Sequence, residues 1–119
     1  GIRTIPIHPD LLPLYQHRLD TTPDGFLFAG KQDKAGKRLN AVQQRFTKLK
    51  REQGFTDLHV FHSFRGTVAT QLEQAGANPL VITSIMGHRR GVITFDVYSA
   101  GASLEQKAEA ISLLSFAFD

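Results

Sequence analysis

The sequence predicts a mainly α domain with a short strand at one edge. Three observations carry that prediction. Apolar residues recur at helical spacing in several separate segments, each with a start or stop signal. One brief run, Arg3 to Ile7, alternates as a strand does. The chain has 119 residues, 41% of them hydrophobic, which suits one domain with a core and is too short for two.

Taken in order, Arg3 to Ile7 reads as an edge strand, because Pro6 has no N–H to give a central ladder. Pro9 to Leu19 reads as a helix, with Leu11, Leu12, Tyr15 and Leu19 spaced for one face. Thr21 to Gly25 is a turn cluster, Phe26-Leu27-Phe28 a brief candidate strand, and residues 29–38 a Gly- and Lys-rich loop. Asn40 opens the next helix, which runs to Gln53 and stops at Gly54. Val42, Phe46 and Leu49 are expected to face its core, with Gln44, Lys48 and Arg51 in a polar row.

His62 to Ala75 is a further helix, with Phe64, Val68, Leu72 and Ala75 on one stripe and Gly76 ending it. Asn78-Pro79 gives a cap followed by proline at the first helical position, and the helix it starts ends at Gly87. Leu80 to Met86 is too apolar to read bases in a groove, so this segment is expected in the core. Ser103 opens the last helix through a capping box with Gln106. Its expected apolar stripe is Leu104, Ala108, Ile111 and Leu114 or Ser115. Phe116 and Phe118 then leave an apolar tail with no evident partner in one chain. There is no internal repeat and no low-complexity segment.

Composition narrows the function. The absence of cysteine excludes disulfides and thiolate metal sites. No apolar run is long enough to cross a bilayer, and no signal-peptide pattern opens the sequence. The net charge of +3 is small, but its distribution is uneven. Lys31, Lys34, Lys37, Arg38, Arg45, Lys48, Lys50 and Arg51 crowd one stretch against the single acid Asp33. Alone, such a run is a solvated face; beside phosphate chemistry it is the footprint of a polyanion partner. Gly30 to Arg38 is not a nucleotide loop. Five residues separate Gly30 from Gly36, and Arg38 stands where Ser or Thr should follow Lys37. His59 and His62 lack the further ligands a metal site needs, so no metal and no cofactor are expected.

The phosphate chemistry comes from one ordered string: His62-Ser63-Phe64-Arg65, then Gly87-His88, then Tyr98. Arg65 offers a permanently charged planar fork suited to a phosphodiester. His62 titrates near neutral pH and is the candidate general base. His88 can donate a hydrogen bond to a phosphate oxygen. Tyr98 is a candidate nucleophile, although a phenol with a pKa of about 10 needs help to lose its proton. Singly, each has an ordinary structural role: a helix-start His, an Arg in an ion pair, a cation at a helix end, a core Tyr. Tyr15, on an amphipathic helix, is read as packing.

The string resembles the tyrosine recombinase (phage integrase) family. Residues 60–70, Val-Phe-His-Ser-Phe-Arg-Gly-Thr-Val-Ala-Thr, resemble the family's His-x-x-Arg helix. Gly76-Ala77-Asn78-Pro79 and Ile85-Met86-Gly87-His88 resemble the next connection and the Gly-His motif. Residues 92–98 resemble the segment that carries the nucleophile, which makes it a helix despite its strand-forming Val, Ile, Thr and Phe. The interval from His88 to Tyr98 is one residue longer than is common in the family, with Arg89-Arg90-Gly91 absorbing the difference. The resemblance covers about Arg3 to Ile111.

The resemblance implies a mainly α catalytic domain with a small antiparallel β edge, here in truncated form as the C-terminal part, residues 1–119. The family's first catalytic Arg and hairpin Lys are expected before Gly1, with Arg3 to Ile7 closing the hairpin. It further implies a site-specific recombinase that cuts and rejoins DNA through a 3′-phosphotyrosine, with Tyr98 as nucleophile, Arg65 as phosphate clamp, His62 as base and His88 on a phosphate oxygen. The implied partner is double-stranded DNA, contacted by Lys31, Lys34, Lys37, Arg38, Arg45, Lys48, Arg51, Arg89 and Arg90. The parent protein is expected to act as a homotetramer on DNA, without a membrane, in the cytoplasm of a bacterium or as a phage product. The fragment alone is expected to be inactive. Two alternatives remain open: a type IB topoisomerase, which reseals the same strand, and a non-catalytic DNA-binding or assembly module.

Overall fold

The computed structural model describes residues 2–87 and 101–116. Their contacts cluster into two compact units, Pro13–Phe64 and the pair of segments Gly1–Leu12 and Arg65–Asp119. The elements are a 3-10 turn Pro9–Leu11 and helices α1 (Leu12–Thr21), α2 (Asn40–Glu52), α3 (Ser63–Gln74), α4 (Pro79–Met86) and α5 (Leu104–Ser112). Among the described residues no helix is long and apolar enough to cross a membrane.

In the unit containing α4 and α5, the core is Leu72 of α3, Val81, Ile82, Ile85 and Met86 of α4, and Ala110 and Ile111 of α5. α4 starts as expected. Asn78 Oδ1 accepts from the Leu80 N–H at 2.9 Å, and Pro79 occupies the first turn, where a missing N–H costs nothing. With four of its eight residues buried, α4 is a core helix, as its apolar sequence predicts. α3 ends where Gly76 takes φ +83°, with Ala77 N–H donating to Leu72 O and Gly76 N–H to Glu73 O. That is the Schellman pattern, and it satisfies carbonyls the helix would otherwise leave open.

The capping box of α5 forms as expected, with Ser103 Oγ accepting from Gln106 N–H at 3.1 Å and Gln106 Oε1 accepting from Ser103 N–H at 2.8 Å. Its buried face matches the expected stripe only in part. Ile111 is buried and Leu114 packs against the core as expected, but Leu104 and Ala108 are exposed, and Lys107 and Ala110 are buried instead. Lys107 makes this possible by laying its stem along the core and donating its ammonium to Thr4 O at 3.0 Å.

No strand forms among the described residues, which corrects the expectation for Arg3 to Ile7 and for Phe26 to Phe28. A strand needs a neighbour to complete its ladder, and the described residues supply none. Side chains hold the first segment instead. Besides Lys107 on Thr4, Arg3 donates to Ile85 O and Met86 O. His8, buried, accepts the Asp10 N–H on Nδ1 at 3.0 Å, which leaves its proton on Nε2 to donate to Leu114 O at 2.9 Å. The Phe116 ring, expected to lack a partner, packs edge-on against His8 at 5.0 Å. Phe118 lies outside the described residues.

In the unit Pro13–Phe64, packing centres on aromatic rings. Phe46 of α2 meets Phe61 and Phe64 edge-on at 5.3 and 5.7 Å. Leu49, expected to face inward, is exposed. One turn beyond Phe46, Lys50 is the inward residue, with only 10% of its side chain exposed and its ammonium donating to His59 O at 2.7 Å. The apolar residues of α1 are likewise not buried: Leu12, Leu14 and Leu19 remain exposed.

Candidate active site and nucleic-acid interface

α3 begins at Ser63, so His62 is the residue before the helix and Arg65 its third residue. The local sequence dictates that start. Ser63 Oγ accepts from Val60 N–H at 3.1 Å, while Ser63 and Phe64 donate backbone N–H groups to Val60 O and Phe61 O, tightening the entry turn. His62 is exposed and Arg65 half-buried. Among the described residues no carboxylate forms an ion pair with Arg65. A guanidinium that no described carboxylate pairs, at a helix start, is suited to an exogenous anion. His59, by contrast, is engaged: its Nδ1 lies 3.3 Å from Thr56 Oγ1 and its ring packs on Phe55.

His88 and Tyr98 lie outside the described residues, as do Arg89 and Arg90. The structure does place the residue before His88. Gly87 terminates α4 with φ +71°, its N–H donating to Thr83 O at 2.9 Å. The expectation that Gly87 ends this helix is met.

The basic stretch divides into two kinds of residue. Lys31, Lys34 and Lys37 are exposed on the loop before α2, and Arg45, Lys48 and Arg51 are exposed on α2 itself. Asn40, Gln43, Gln44, Thr47, Lys48, Arg51 and Glu52 line a shallow depression along one open face, where Lys48 lies 4.0 Å from the Glu52 carboxylate. Arg38 behaves differently. Its Nη2 donates to Asp24 Oδ2 at 2.6 Å, and its guanidinium stacks over the Phe26 ring at 3.8 Å. Lys50 is similarly turned toward His59 O and Asp57.

Two aspartates that the sequence reading did not single out organise this stretch. Asp33 Oδ1 accepts the N–H groups of Ala35 (2.9 Å) and Lys37 (2.8 Å), and its Oδ2 accepts from Asn40 Nδ2 at 3.1 Å. Asn40 thus opens α2 as expected, but its side chain binds the loop, and Leu39 occupies the cap without a side-chain bond. The Lys37 N–H is the main reason that the Asp33 carboxyl titrates below its ordinary value, with Ala35 and Asn40 adding to it against desolvation. Asp24 is lowered chiefly by the Phe26 N–H; the Gly30 N–H, the Thr22 hydroxyl and the Arg38 charge reinforce this, and desolvation opposes it. Short polar side chains bonding backbone two residues on are the signature of Asx turns, so the Asp24-Gly25-Phe26 run carried the available signal.

No match was found among curated proteins or among solved structures. The sequence profile of the phage integrase family matches residues 1–104, a span that includes His62, Arg65, Gly87, His88 and Tyr98; the chain belongs to the phage integrase family.

Proposed function

We propose that the chain is the C-terminal part of the catalytic domain of a tyrosine-type site-specific DNA recombinase. The observation that carries this reading is the ordered set His62, Arg65, His88 and Tyr98 within a family match, with Arg65 unpaired by any described carboxylate. Arg65 would hold a non-bridging oxygen of the scissile phosphate and stabilise the charge that builds there in the transition state. His62 would accept the Tyr98 proton as the phenolic oxygen attacks phosphorus. The P–O5′ bond then breaks, leaving a 3′-phosphotyrosine and a free 5′-hydroxyl. A second strand's 5′-hydroxyl reverses the step on a new partner, and the phosphotyrosine bond conserves the energy for resealing.

The family's first catalytic Arg and the Lys that protonates the leaving 5′-oxygen are not among these residues, and we assign them to chain preceding Gly1. The exposed cations of the loop and of α2 support a role in following the phosphate backbone of duplex DNA. A protein of this kind acts as an oligomer on DNA in the cytoplasm, beside the nucleoid. The discriminating experiment is strand exchange between two differently labelled duplexes by the full-length protein. Recombinant product supports the reading. Relaxation of supercoils without exchange would make the protein a topoisomerase, and DNA binding without either would make it an assembly module.

A further inference from the structure

A helix leaves its last carbonyls without intrahelical partners and carries a partial negative charge at that end. In α4, Thr83 O is satisfied by the Gly87 N–H. Ile85 O and Met86 O are satisfied from far away in sequence, by Arg3 Nε at 3.0 Å and Arg3 Nη2 at 3.3 Å. The same guanidinium lies against Gly87. A Cβ built on that glycine would meet Arg3 Nη1 at 2.5 Å and Cζ at 2.6 Å. Residue 87 takes a left-handed φ of +71°, which favours glycine, and the end of the Arg3 side chain lies where a Cβ would stand.

Arg3 is not a loose surface side chain that happens to reach a helix end. The adjacent Thr4 carbonyl is held by the buried Lys107, and His8 ties the same segment to Leu114 O. A planar fork with fixed N–H directions can bridge two successive carbonyls, whereas a lysine ammonium offers a point charge. The arrangement fixes both the last turn of α4 and the backbone conformation of the residue that precedes His88.

We propose that Arg3 is a positioning residue for the function of His88: by clamping Ile85 O and Met86 O across Gly87, it holds the end of α4 and the residue that His88 follows in sequence. This rests on the reading of His88 as a phosphate-binding group. Small displacements of such groups are costly, and a shift of about 1 Å can lower a rate by as much as about 100-fold.

The test is a double-mutant cycle on the full-length protein, with single-turnover DNA cleavage, DNA affinity and thermal unfolding measured for Arg3→Met, His88→Ala and the pair. Arg3→Met should slow cleavage about tenfold in the unsubstituted protein and less than about twofold when His88 is already Ala, with affinity unchanged. Arg3→Lys should recover part of the loss. Gly87→Ala, which pushes the guanidinium away from the other side, should reproduce it. Equal losses with and without His88, tracking the loss of folded protein, would reduce Arg3 to a stabilising contact and overturn the proposal. If His88→Ala alone left cleavage intact, the reading of His88 itself would fall, an outcome the cycle separates from the first.

Discussion

Arg38 and Asp24 form an ion pair of 2.6 Å, closed on one side by the Phe26 ring under the guanidinium. The pair takes one cation out of the basic stretch and uses it to hold the loop before α2. Lys31, Lys34, Lys37, Arg45, Lys48 and Arg51 remain exposed to meet a polyanion.

The two groups should separate in binding experiments. Replacing Lys48 and Arg51 with Ala is expected to weaken binding to all DNA sequences alike and to reduce the salt slope by at most about two counterions. Arg38→Ala is expected to leave that slope nearly unchanged while lowering the unfolding midpoint only slightly, since a solvent-screened pair contributes little. Filter binding across a salt series, with unfolding followed by circular dichroism, measures both. A sequence-specific loss on replacing Lys48 and Arg51 would instead place these side chains on base edges.

The loop should also respond to acid in a defined direction. Asp24 and Asp33 both titrate below the ordinary carboxyl value of 3.8 because N–H groups bind their charged forms. Their contribution is complete above that unfolded value and is lost as pH falls through the depressed folded values. Amide exchange at Ala35 and Lys37, corrected for intrinsic rates, should show protection unchanged from neutrality down to about pH 4 and falling only at more acid pH. Asp33→Ala should remove that protection at neutral pH. Loss of protection near pH 6 in the unsubstituted protein would point to a histidine and contradict the assignment.

Arg65→Ala should lower cleavage by about two to three orders of magnitude, the effect of removing one preorganised donor to developing charge. DNA affinity should change far less, since the interaction is worth most in the transition state. Single-turnover cleavage beside equilibrium binding distinguishes the cases. Parallel losses in both would make Arg65 an anchoring contact only.

What could be read from the sequence was whatever is decided within a turn or two of chain. Asn78 with Pro79, Ser103 with Gln106, and the stops at Gly54, Gly76 and Gly87 are local capping chemistry, and each appears where its residues place it. Misreadings came where a lysine occupies an inward position. Lys50 and Lys107 bury their stems and pass the ammonium to a carbonyl, so apolar spacing pointed to Leu49 and Leu104 instead, and both are exposed. Arg3 to Ile7 alternates like a strand, but alternation cannot supply the neighbour that a ladder needs. Of the catalytic candidates, Arg65 lies in the first turn of α3 as expected, while His62, expected to open that helix, is the residue before it. The Arg3 contact with α4 spans more than eighty residues, and no local pattern announces it.

The most direct measurement is covalent trapping of the full-length protein on a suicide substrate, nicked so that the released 5′ fragment diffuses away. The unsubstituted protein should form a stable adduct whose DNA-linked peptide, isolated by digestion and mass spectrometry, carries the modification on Tyr98. Tyr98→Phe should bind the same DNA nearly as well and form no adduct. An adduct that persists in Tyr98→Phe, or one that maps to Tyr15, would contradict the assignment of the nucleophile and with it the proposed mechanism.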